Sequence, residues 1–145
     1  MKKPTRVLII ILAACFCFTG WTSCKKKPAT KEEATKQIIS DLLDACKAGK
    51  NEDAAKKFNE FMPEEEKSRG RAIDVSTSDG KQKAERLCRE INQKYGSGYE
   101  FGKMETQGEM IAWNVFPKGS NEGQMWAFKQ VSDKWILVDI DPAKR

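Results

Sequence analysis

The sequence contains no histidine. That excludes catalytic pairs built on an imidazole, Ser-His or Cys-His, and imidazole ligation of zinc. It contains no CxxC pair either, so its five cysteines do not make a zinc ribbon or a thioredoxin-type redox motif. No apolar run reaches the length of about 20 residues that a membrane-spanning helix needs. The longest, Val7–Phe18, has 12 residues. At 145 residues the chain is too short to bury two full cores. The rest is ordinary for a globular domain: 39% hydrophobic residues, 32% charged residues and a formal net charge of +5. Taken whole, that charge suits an acidic partner such as nucleic acid. Where the charges lie decides whether it does.

The chain opens MKKPTRVLIIILAACFCFTGWTSCKKK. Lys2, Lys3 and Arg6 form a positive region, the apolar run follows, and small and polar residues close it, which is the layout of a secretory signal. A cysteine ends the segment, and the polar tract KKKPATKEE begins directly after it. This junction resembles the signal of bacterial lipoproteins, in which a leucine and two small residues precede the cysteine that receives the lipid. Leu12-Ala13-Ala14-Cys15 fits that pattern letter for letter, whereas Trp21-Thr22-Ser23-Cys24 departs from it at Trp21. Cleavage before Cys15 leaves an apolar core of only eight residues and strands Phe16, Phe18 and Trp21 on the mature end. Cleavage before Cys24 uses the whole run, so Cys24 is the expected lipidation site and Cys15 the alternative. The chain then divides into a signal peptide, 1–23, a lipidated cysteine with a polar tether, 24–31, and a single domain, 32–145.

The resemblance implies an exported protein held through acyl chains at a bacterial membrane, at the outer membrane or on a periplasmic or cell-surface face. Two or more chains make such an anchor stable. Without residues 1–23 the chain has 23 basic and 21 acidic residues, a net of +2, and setting Lys25–Lys27 aside as well leaves −1. The basicity belongs to the signal and tether, and no nucleic-acid partner is expected.

Thr30 and Glu33 form a capping box, and apolar residues recur from Ala34 through Ile38, Leu42, Ala45 and Cys46, with Ile39 and Leu43 beside them. This predicts a helix ending at Gly49. Asn51 is read as the cap of a second helix carrying Ala54, Ala55, Phe58, Phe61 and Met62. Pro63 interrupts, and PEEEKSRGR reads as a polar turn or short helix whose three glutamates point apart, a solvated face rather than a metal cluster. Ser78 or Asp79 is read as the cap of a helix over 80–95 with the stripe Ala84, Leu87, Cys88, Ile91 and Tyr95. From Tyr99 the period changes to two. Strands are expected at 99–106, 109–117, 123–131 and 134–140, and their short connections require an antiparallel sheet. Helices followed by strands make the fold class α+β: N-terminal helices packed on a curved antiparallel sheet of about four strands. Both strand faces carry apolar residues, which suggests a second covered face, by a protein partner, a second copy or the helices wrapping round.

This order of elements, with the closing hairpin FKQVSDKWILVDI at 128–140, resembles the nuclear transport factor 2-like folds, in particular the small bacterial lipoproteins among them, with the cystatin-like fold as the neighbouring alternative. The resemblance implies a cone of sheet with helices across its mouth. A non-enzymatic binding or interaction domain is expected, taking an unidentified small ligand on the inner face, where Trp113, Trp126 and Phe128 are candidate pocket lining. No cofactor, metal or catalytic residue is assigned. Two alternatives stay open. One is a small hydrolase or isomerase with a buried acid, for which Glu109, Asp139 and Asp141 are the strand candidates; strict alternation puts Asp139 and Asp141 on one face with Trp135 and Leu137. The other is a protein inhibitor acting through the loop 117–123. Cys46 and Cys88 both lie on apolar helix stripes and are a candidate disulfide, with two buried free thiols as the other reading.

Overall fold

The computed structural model describes residues 30–145. The signal, most of the tether, Cys15 and Cys24 lie outside the described residues. Among the described residues four helices precede four strands: α1 (Lys31–Lys47), α2 (Asn51–Phe61), α3 (Glu64–Ser68), α4 (Ser78–Tyr95), then β1 (Tyr99–Gln107), β2 (Met110–Pro117), β3 (Glu122–Val131) and β4 (Lys134–Lys144). The strands form an antiparallel meander in chain order, curved and unclosed. Ile39, Leu42 and Leu43 of α1, Phe61 of α2 and Tyr95 of α4 share one core with Val115, Trp126 and Phe128. Register places those three strand residues on a single face. The molecule is thus an α+β domain with a helical layer on one side of a four-stranded sheet, compatible with a nuclear transport factor 2-like arrangement.

The helix ends follow from local chemistry. The Thr30 hydroxyl accepts a hydrogen bond from the Glu33 N–H at 3.1 Å and starts α1. At its other end Gly49 takes a φ of 72°. The Gly49 and Lys50 N–H groups then turn back to the carbonyls of Cys46 and Ala45, the hydrogen-bond pattern of a Schellman turn. This turn delivers Lys50 directly as the N-cap of α2, so Asn51 is the first helical residue and not the cap expected from its side chain. The start of α4 also differs from the expectation. Asp74 binds Ser76 through both backbone and side chain, and the Thr77 hydroxyl takes the Gly80 N–H at 3.0 Å. Thr77 is therefore the cap, and Ser78 and Asp79 form the first turn. Between α2 and α4, Asn59 donates to the Ile73 carbonyl and accepts from the Ile73 N–H, both at 2.9 Å, clamping the irregular stretch onto α2. The acids of α3 pair locally, Glu64 with Lys67 and Glu66 with Arg69 and Arg71.

The buried face of α1 is centred on Thr35, Ile39, Leu42, Leu43 and Cys46 rather than on Ala34 and Ile38. Thr35 is fully buried. Its hydroxyl lies 3.1 Å from the Lys31 and Glu32 carbonyls and accepts the Trp113 indole N–H at 3.0 Å. A polar residue sits in the core because the indole needs an acceptor there. Thr35→Val keeps the shape and removes that acceptor. The expected loss of stability is about 1–2 kcal/mol, read from urea unfolding, and Thr35→Ser should recover most of it.

Strict alternation fails in β4. Asp139 pairs with Ala127 and Leu137 with Phe128, so Val138 is an extra residue. This bulge reverses the parity of the strand. Trp135, Leu137 and Ile140 all pack against the core, while Asp139 and Asp141 are exposed and paired with outward-facing Ala127 and Met125. The two aspartates therefore do not share the inner face with Trp135 and Leu137, as alternation requires. The strand also continues past them through Pro142 to Lys144, which an edge strand permits because an outward-turned position needs no N–H.

The outer face of the sheet contains one buried aromatic. Phe116 is 2% exposed although it points away from the helices. Its neighbours across β1 and β3 include Gly102 and Gly123, where an added Cβ would lie 2.6 and 2.7 Å from the ring. The Arg145 guanidinium covers it, 4.7 Å from the ring centroid, and also pairs with Glu100. Elsewhere on this face Met110, Ala112, Met125 and Ile136 are half-buried and Val131 is exposed, with no described element packed over them.

Candidate functional site

One face of α4 meets the C-terminal half of β4 across a narrow cleft of about 230 Å³. Leu87, Ile91 and Tyr95 recur at helical spacing and form one wall, and Trp126 of β3 with Ile140 of β4 forms the opposite one. Leu42 and Phe58 close it from the side of α1 and α2, while Glu90 and Lys94 stand exposed at its edge. The walls are fixed by packing. Trp126 lies between Trp113 and Ile140 in the sheet register, and Phe58 meets Phe61 edge-on at 5.5 Å.

The polar groups of the inner wall are few. The Tyr95 hydroxyl donates to Gln124 Oε1 at 3.0 Å and lies 3.4 Å from the Val115 carbonyl. Burial raises the Tyr95 pKa above the ordinary tyrosine value, and the adjacent Trp126 indole opposes that shift without reversing it. Tyr95 is therefore a neutral donor at physiological pH. The Trp126 Nε1–H is buried and has no hydrogen-bond partner by distance and angle. Its influence on Tyr95 reflects proximity of the two groups rather than a formed bond. A buried N–H without an acceptor is costly, and the chemistry that would relieve it is a carbonyl, carboxylate or hydroxyl oxygen.

Trp126 thus lines the cleft. Trp113 instead stands as a pillar between sheet and helix, bonded to Thr35, edge-on to Phe101 at 5.4 Å and flanked by the Lys36 ammonium. Phe128 is fully buried and packs edge-on against Phe61 at 6.2 Å. Cys46 and Cys88 are joined in a disulfide with Cα atoms 4.7 Å apart. Glu109 lies in the β1–β2 turn rather than in a strand. No group of three or more Cys, Asp or Glu among the described residues is arranged to hold a metal ion, and none of the described helices is long and apolar enough to cross a membrane.

Of the residues lining this cleft only Trp126 was singled out by sequence as a site residue; the hydrogen-bonded pair Tyr95 and Gln124 was not. Tyr95 closes the apolar stripe of α4, and its hydroxyl has to find a partner once the ring is buried. Gln124 lies two residues before Trp126 and so on the same strand face, a placement that alternation alone would have given. The chain matches no protein-family model, and neither curated proteins nor solved structures show a match to it.

Proposed function

We propose that this protein is a lipid-anchored component of a bacterial cell envelope, attached through Cys24, and that its nuclear transport factor 2-like domain is a binding module rather than an enzyme. The anchor reading rests on the apolar run, the cysteine that ends it and the abrupt change to a polar tract. The binding reading is carried by the unpaired Trp126 N–H beside the Tyr95–Gln124 bond in an apolar cleft. These features suit a small, mainly apolar ligand with one acceptor oxygen. The buried-acid alternative loses its strand candidates on the inner face, since Asp139 and Asp141 turn outward.

The test uses protein labelled with ¹⁵N at its tryptophan indoles and titrated with fractions of small molecules extracted from membranes. A ligand in the cleft moves the Trp126 N–H resonance and leaves that of Trp113, which Thr35 already holds, in place. If every fraction leaves the Trp126 signal unmoved, the binding reading fails. The anchor is checked separately by the intact mass of the membrane-extracted chain, which should begin at an acylated Cys24; a chain that begins at Met1 without lipid would end that part of the proposal.

A further inference from the structure

A second cleft lies on the other side of the Phe58–Phe61 pair. Phe58 lines the Trp126 cleft and Phe61 lines this one, so the edge-on rings separate them. Its volume is about 580 Å³, within the range of ligand sites, about 300–1,000 Å³. The floor is apolar: Ile38 of α1, Phe61 of α2 and Trp135 at the start of β4, all packed into the main core. Three lysines reach its rim from three separate elements, Lys56 of α2, Lys67 of α3 and Lys134 of β4. Glu60 is the one acid in its wall.

The charges are only partly spoken for. Lys67 is held by Glu64 at 2.7 Å. Glu64 is kept below the usual carboxylate range, first by that hydrogen bond and charge, with a smaller contribution from the charge of Lys134. Lys56 and Lys134 make no ion pair among the described residues. Both are exposed, whereas the aromatic floor between them is half-buried or buried. Lysine ammonium groups are mobile point charges that donate to carboxylate or phosphate without a fixed geometry.

We propose that this cleft binds an anionic amphiphile, a ligand whose alkyl or acyl chain lies on Phe61 and Trp135 while its phosphate or carboxylate sits between Lys56 and Lys134. The ligand is drawn either from solution or from a lipid bilayer, and the same head-group chemistry serves both.

The probe is decyl phosphate below its micelle concentration, with decyl maltoside as the uncharged control of equal chain length. Decyl phosphate should move the Trp135 indole resonance. Its affinity should exceed that of decyl maltoside by about tenfold and fall by about tenfold in Lys56→Glu/Lys134→Glu, as expected for reversing two exposed charges. Both lysines are exposed, and circular dichroism together with an unshifted Trp113 resonance verifies that the variant is folded. Equal binding of the two detergents, unchanged binding in the double variant, or an unmoved Trp135 resonance up to millimolar probe would each overturn the site. Sedimentation with phosphatidylglycerol vesicles identifies the source. Co-sedimentation that the double variant loses indicates uptake from a bilayer, and decyl phosphate binding without co-sedimentation indicates uptake from solution.

Discussion

Replacing both Cys46 and Cys88 by alanine is expected to lower the unfolding free energy by about 4 kcal/mol, the chain-entropy value for closing a loop of this size. The cross-link spans 42 residues of sequence, including α2, α3 and the irregular stretch before α4. It ties helix to helix, not helix to sheet. Both cysteines are buried, at 0% and 2% exposure, and the Asn92 amide donates to the Cys46 carbonyl beside the bond at 2.9 Å. Loss of the cross-link therefore frees the helical layer first. For a domain of this size the change corresponds to a fall in melting temperature on the order of 15 °C. The wild-type protein should show the same fall when melted with reductant. If the unreduced, denatured protein is alkylated at both thiols and reductant leaves the melting temperature unchanged, the two cysteines act only as small core residues.

Gly123→Ala should cost about 3 kcal/mol, at the upper end of overpacking penalties, although the position is next to a surface loop. A Cβ there would lie 2.2 Å from the Val115 carbonyl oxygen and 2.9 Å from the Phe116 Cα. Those are backbone atoms of the neighbouring central strand and cannot swing away as a side chain can. The strand pair β2–β3 would have to separate locally, and the Phe116 ring, lying between two glycines, would lose its seat under Arg145. Guanidinium unfolding compared with Gly119→Ala separates this effect from the general cost of replacing a glycine. Gly119 has a φ of 77° but open space around it, so its penalty is confined to backbone strain of about 1 kcal/mol. Equal losses at the two positions would show that β2 and β3 are not packed as closely as described.

Much of the architecture is legible in the sequence because local signals and burial agree. The stripe from Ala84 to Tyr95 and the change of period at Tyr99 give α4 and the meander. The expected strand starts lie within a residue of the observed ones. The misreadings have specific causes. Asn51 has cap chemistry, but the turn at Gly49 sets where α2 begins, one residue earlier than a side-chain cap would. Thr35 looks like a surface residue until Trp113, 78 positions away, is seen to need its oxygen. The single extra residue Val138 reassigns every later side chain of β4, and with them the two aspartates. Nothing in a run such as WILVDID marks where an insertion falls, because apolar residues occupy both parities. The candidate sites were legible only in part for the same reason. Trp126 could be placed on the inner face by alternation, but the gathering of Tyr95 and Gln124 around it, or of Lys56, Lys67 and Lys134 around Trp135, depends on helix placement over the sheet.

The bulge in β4, together with a register shift between Phe101 and Met104 in β1, has a consequence for association. The extra residues fall at Gly102–Lys103 in β1 and at Val138 in β4, the outermost strands of an unclosed sheet, while β2 and β3 pair without interruption. An open edge is a template for another chain, which would add its own strand along the unpaired N–H and C=O groups. Here each template is broken partway. A neighbour in register with one half of either edge is out of register with the other half, and Pro142 removes one donor from β4 besides. The irregularities thus limit runaway strand addition and help keep copies apart where many are crowded together, leaving contacts to side chains rather than to the backbone.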